Sequence, residues 1–224
     1  IASGDNVLLN GGSLESNGDI SIAAGTDGTG TIDLGEEATG GYVIDTASAL
    51  AMTAPNDITI TGRIRALGDN AIASGDNVLL NGGSLESNGA ISIAAGSDGA
   101  GAIGINKATE VGNAIYTSQN VNITAADDIT VVGGVRADVG LVLDSSNGKV
   151  NVIGGLLSTG GMLNIATNDT LTIDGKIFGG AGIGITALND VVFSGGSLTS
   201  DSDISIAVGT DGTGTIDLGE EATG

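Results

Sequence analysis

The dodecapeptide GTDGTGTIDLGE, residues 25–36, comes closest to a recognisable chemical device. Laid on the calcium loop of an EF-hand, Asp27 takes position 3, Gly30 position 6, Ile32 position 8, Asp33 position 9 and Glu36 position 12. Carboxylates at those places surround a hard divalent cation with oxygen, so Asp27, Asp33 and Glu36 are calcium candidates. The string recurs at 209–220 and adds Asp211, Asp217 and Glu220. Against such a site stand Gly25 at the first loop position and Thr29 at the fifth. A middle copy, GSDGAGAIGINK (96–107), loses the second Asp and carries Lys107 in place of the Glu. The flanks read as strands and turns, where an EF-hand needs helices. The alternative is therefore a Gly-rich corner that lengthens its repeat. Calcium is the one possible cofactor.

Carboxylate pairs offer a second chemistry. Glu36–Glu37, Asp127–Asp128 and Glu220–Glu221 have the residue types of a glycosidase acid and base. Sugar-cleaving sites also need cationic or aromatic groups to hold substrate. The only basic residues are Arg63, Arg65, Lys107, Arg136, Lys149 and Lys176, with none in 1–62 or 177–224. Arg65 and Arg136 are equivalent positions of one repeat, which duplication explains. Tyr42, Tyr116, Phe178 and Phe193 read as core or corner fillers. The Thr-x-Thr units at 59–61 and 170–172 do not recur regularly enough for an ice-binding face. The sequons at Asn122 and Asn168 are short enough to arise by chance. The expectation is a protein that is not an enzyme.

Composition narrows the classes further. The 224 residues hold 27 Asp and Glu against 6 Lys and Arg, a net charge of −21, with no His and no Cys. Zinc sites of the usual ligand types, haem sites and Ser–His or Cys–His catalytic pairs are therefore excluded. Strong negative charge repels phosphate backbones and anionic bilayers, which argues against nucleic acid and membrane partners. No apolar run is long enough to span a bilayer, so no membrane insertion is expected. Yet 40% of residues are apolar, so the chain is no disordered acidic tail. Carboxylates stacked about 4.8 Å apart repel by about 0.9 kcal/mol in water, so divalent cations or salt should stiffen the molecule.

Internal repeats show what must position these groups. Residues 1–34 match 72–105 at 28 of 34 positions, and 19–40 match 203–224 with one difference, Ala24 against Val208. The chain divides into modules 1–71 and 72–142, a stretch 143–184 and a partial module 185–224, all within one continuous solenoid segment. It reads as a piece of something longer. Inside the modules an apolar–x–apolar pair recurs, starting at Val7, Ile32, Ile58, Val78, Ile103, Ile129, Val150, Leu171, Val191 and Ile216. A second pair follows, as at Ile20 and Ile22, Ile91 and Ile93, Leu163 and Ile165, Ile183 and Ile185, and Ile204 and Ile206. Period-2 alternation means strands. A unit of 20–26 residues cannot bury its apolar face alone, but stacked on its neighbours it can. The spacing predicts an all-β, right-handed parallel β-helix (β-solenoid) of about ten coils.

Coils such as DITITGRIRALGDNAIASGDNVLLNGGSLESNGAISIAAG resemble filamentous-haemagglutinin-type repeats, the shafts of large secreted bacterial adhesins. That resemblance covers nearly the whole chain and implies a fibrous protein at the bacterial cell surface or outside the cell. The Asn-Pro motifs of the family's secretion domain are missing from this stretch, where Pro55 precedes Asn56. The implied function is a structural shaft of a giant adhesin in cell–surface or cell–cell attachment. Its partners would be a host or partner cell surface, neighbouring coils of a longer chain, and other copies of itself. The alternative is a self-assembling filament or sheath built by end-to-end stacking of coils.

Overall fold

The structure, a computed structural model, describes residues 1–106, 113–209 and 212–219. Among them there are 28 strands and no helix. Each strand belongs to one of three sheets of ten, nine and nine strands, and every strand pair is parallel. The first sheet is built from strands whose inward pairs begin at the ten positions named above, from Val7 to Ile216. The third sheet contains the second apolar pairs, as in Ile91–Ala95 and Gly182–Ala187. Between them runs a second sheet of short strands, from Leu14–Ser16 to Ser197–Ser200. The molecule is a β-solenoid of about ten turns, and coils are numbered here by their first-sheet strand.

Alternation decides which side chains go inside. In Ile58–Ile60 the two isoleucines are fully buried while Thr59 between them is only partly so. Register then stacks like on like: Ile32 pairs with Ile58, Ile58 with Val78, and Val78 with Ile103. Burying one such side chain contributes roughly 1.5–3 kcal/mol, so the interior ladders carry the fold without large rings. Turning a corner strands backbone carbonyls, and hydroxyls answer them. Thr46 donates to the Gly18 carbonyl at 2.7 Å, Ser87 to that of Gly68 at 2.7 Å, and Ser145 to that of Asp127 at 2.6 Å. These Ser and Thr side chains are buried, which explains why small polar residues end so many inward rows.

Extra residues of the longer coils lie at two corners. Among the described residues, the stretches 24–31 and 96–102 separate the third sheet from the first, whereas 38–41 separate the first from the second.

Candidate functional site

The calcium candidates are dispersed among separate surroundings. Asp27 sits in the corner before strand Ile32–Glu37, where its Oδ1 accepts from the Thr29 amide and hydroxyl, both at 3.2 Å. Asp33 and Glu36 point to solvent from that strand. Asp217 is exposed at the end of the first sheet and accepts from the Gly219 amide at 2.9 Å. Asp211 and Glu220, like Lys107 and the Glu220–Glu221 pair, lie outside the described residues. Among the described residues no three acidic side chains are grouped to hold a metal ion.

The Gly-rich corner itself has a mechanical explanation. The Gly28 amide donates to Gly25 O at 2.9 Å, and the Gly25 amide donates down to Asp5 O at 2.9 Å. Gly30 has φ +154°, and a Cβ there would lie 2.7 Å from Asp5 O. Only glycine lets the loop return that close to the coil beneath it.

Most of the acidity is concentrated at corners, where it performs the same service repeatedly. Before five of the ten first-sheet strands, an Asp or Asn reaches up one coil to an amide. Asn6 Oδ1 accepts from Thr31 N at 2.9 Å, Asp57 from Asn77 N at 3.1 Å, and Asn77 from Ala102 N at 2.9 Å. Asp128 accepts from Lys149 N at 2.7 Å and Asp190 from Thr215 N at 2.9 Å. Before the third sheet, Asp19 and Asp69 do the same for Ala49 and Ala90, at 3.2 and 2.8 Å. Much of the carboxylate inventory therefore fastens coil to coil. Asp57→Ala should cost about 1 kcal/mol in a denaturant titration, because two bonds from Asn77 are lost. Asp27→Ala should fall within about 0.5 kcal/mol of the parent.

Of the two described pairs considered for acid–base chemistry, Asp127–Asp128 bonds between coils and Glu37 bonds within its own loop. Glu37 Oε2 accepts from Thr39 N at 2.9 Å, Thr39 Oγ1 at 2.6 Å and Gly41 N at 2.9 Å. Those donors hold its carboxyl below the ordinary value, whereas a general acid needs a raised one. Asp127 Oδ2 accepts from the Gly101 amide at 3.0 Å. Asp169 is held low chiefly by the Asn189 amide at 2.8 Å, helped by the Thr170 hydroxyl. A depressed carboxyl stabilises the fold above its unfolded value, and that stability is lost as pH falls through the folded one. Asp169→Asn should therefore unfold earlier than the parent at pH 7, and the two midpoints should converge as pH falls below the ordinary carboxylate range.

One face is different in kind. The outer side of the second sheet carries Arg63, Arg65, Arg136 and Lys176, together with three of the four rings, Tyr42, Tyr116 and Phe178. Of the four rings read as core or corner fillers, Phe193, at 8% exposure, is in the core, while these three stand partly exposed on the outer side of the sheet. Parity decides it, since Tyr116 lies between the inward Ile115 and Thr117. Lys149 stands apart, just before strand Val150–Val152.

No protein-family model, curated protein or solved structure matches the chain.

The groups on this face hold one another. The Arg65 guanidinium grips Asp45 with two bonds, Nε to Oδ1 at 2.9 Å and Nη2 to Oδ2. Arg63 and Arg65 lie 4.5 and 4.7 Å from the centre of the Tyr42 ring, a double cation–π contact. The Tyr42 hydroxyl donates to Glu86 at 2.8 Å and accepts from Arg63 at 3.2 Å. Burial, then the Glu86 bond, pushes the Tyr42 hydroxyl above its ordinary pKa. A reduced version recurs further along. Arg136 donates to Asp138 at 3.3 Å and lies 5.6 Å from the Tyr116 ring. An open cleft of about 470 Å³ adjoins the cluster, lined by Glu15, Asn17, Asp45, Arg65 and Leu67 among others. Chemically, the arrangement is a surface of fixed charges of both signs.

Proposed function

We propose that this chain is a non-enzymatic shaft segment of a giant extracellular bacterial adhesin, serving attachment of cells to surfaces or to each other. The observation that carries the reading is the stack itself. Three parallel sheets repeat coil after coil, and at about 4.8 Å per coil they make a rod of roughly 48 Å. Such a rod acts by geometry, holding a binding region away from the cell. The resemblance to filamentous-haemagglutinin-type coils supports it, as does the commitment of the corner carboxylates to coil-to-coil bonds. On this reading the partners are a host or neighbouring cell surface and further coils, and the location is outside the cell.

Immunogold microscopy with an antibody to residues 26–46 on intact producing cells tests this. Gold strung along fibres that leave the cell at single points is the expected result. A continuous labelled sheath would replace the shaft with a self-assembling filament, and unlabelled surfaces would contradict both.

A further inference from the structure

We propose that two copies of this chain pair antiparallel, face to face, across the arginine-bearing second sheet. Along its central outward row, in coil order, stand Glu15, Asp45, Arg65, Glu86, Tyr116 and Arg136, each in register with the next. Turning one copy end over end about an axis between the third and fourth coils makes this row complementary to itself. Glu15 then faces Arg136, Asp45 faces Tyr116, whose hydroxyl donates to Asp138 at 3.4 Å within its own copy, and Arg65 faces Glu86. The two-fold makes each contact twice, as an isologous interface requires.

Neighbouring registers are penalised. Moving the axis onto the third coil sets Arg65 against Arg65 and Asp45 against Glu86. Moving it onto the fourth sets Glu86 against Glu86 and gives up both the Glu15–Arg136 and the Arg65–Glu86 pairs, with only Asp45 against Arg136 in exchange. A parallel pairing in register sets every charge against its own kind. Specificity thus comes from repulsion in the alternatives as much as from attraction in the favoured one. Two further features fit. Glu15 is exposed and its carboxylate has no hydrogen bond or ion pair among the described residues, so pairing supplies its first partner. Arg65 spends only its Nε and one Nη on Asp45, which leaves guanidinium donors free for a facing carboxylate.

The six coils in contact span roughly 29 Å of rod, and the strands are about 13 Å wide. That is a small interface, below the standard size of stable complexes, so one segment pairs weakly. Repeated modules along a longer chain would multiply the effect by avidity. Antiparallel geometry is what rods projecting from two opposed cells present to each other. This use rests on the proposed shaft reading, whereas pairing of the purified chain does not.

Sedimentation equilibrium of the intact 224-residue chain, up to millimolar concentration, is the test. A monomer–dimer equilibrium that stops at two is expected. Glu15→Arg and Arg136→Glu should each weaken it tenfold or more, and the double exchange should restore it. Thermal midpoints of the variants confirm that all are folded. A nitroxide on Ser158→Cys, clean because the chain has no other cysteine, reads the orientation. Ser158 lies in the seventh coil, so antiparallel partners hold their labels about 34 Å apart along the axis. A monomer at every concentration, a double exchange that fails to restore pairing, or labels within about 15 Å would each overturn the proposal. A dimer from cells whose surface shows no gold would keep the pairing and discard only its use between cells.

Discussion

Gly75→Ala lowers the unfolding midpoint by roughly 6–12 °C, while Gly4→Ala leaves it unchanged. Both glycines occupy the fourth place of the same hexapeptide, IASGDN, at 1–6 and 72–77. A Cβ at Gly75 would stand 1.8 Å from the backbone carbonyl oxygen of Pro55 in the coil beneath, while one at Gly4 meets nothing within 4 Å. Backbone cannot step aside as a flexible side-chain tip can. The coil must shift, and its sheet bonds shift with it. Overpacking of this severity costs about 3 kcal/mol or more. Gly161, whose Cβ would approach Val139 O to 1.6 Å, should behave like Gly75. A chain in which Gly75→Ala and Gly4→Ala melt together would not stack its coils as described.

Asn70→Leu acts in the opposite direction. Asn70 begins strand Asn70–Ser74 of the third sheet, 1% exposed, in the inward row between Leu50 and Ile91. Neither its amide nitrogen nor its amide oxygen has a hydrogen-bond partner among the described residues. An unpaired buried amide costs about 1–3 kcal/mol. Leucine removes that cost and continues a row that already accepts leucine and isoleucine on either side. The thermal midpoint should rise by several degrees, with Asn70→Ala gaining less because it leaves a cavity. A lower midpoint for the leucine variant would mean that the amide is held by something the ladder does not show.

The first sheet was legible in the amino-acid sequence because both inward positions of its strands are large and apolar, as in Ile58 and Ile60. All ten of its strand starts could be read directly. The second sheet was not, since only one inward position per strand is large. Its partner two residues on is Ser, Thr, Ala or Gly, as in Leu14–Ser16, Ile64–Ala66 and Leu157–Thr159. Alternation between one leucine and one small residue barely registers as a period. The same blind spot hid the outward rings, whose parity is visible only after Ile115 and Thr117 are known to face inward. Asp128 read as half of an acid–base pair and Asp57 carried no signal, but the structure shows both accepting amide bonds from the coil above. Sequence spacing could not reveal that, because the donors are 20 and 21 residues away.

The most direct test of the shaft is to lengthen it. A second copy of residues 72–142, inserted in register after the first, adds three coils. Small-angle X-ray scattering should then show the rod longer by about 14 Å with its cross-section unchanged. Growth in cross-section as well as length, or no elongation at all, would contradict the stacked-coil shaft.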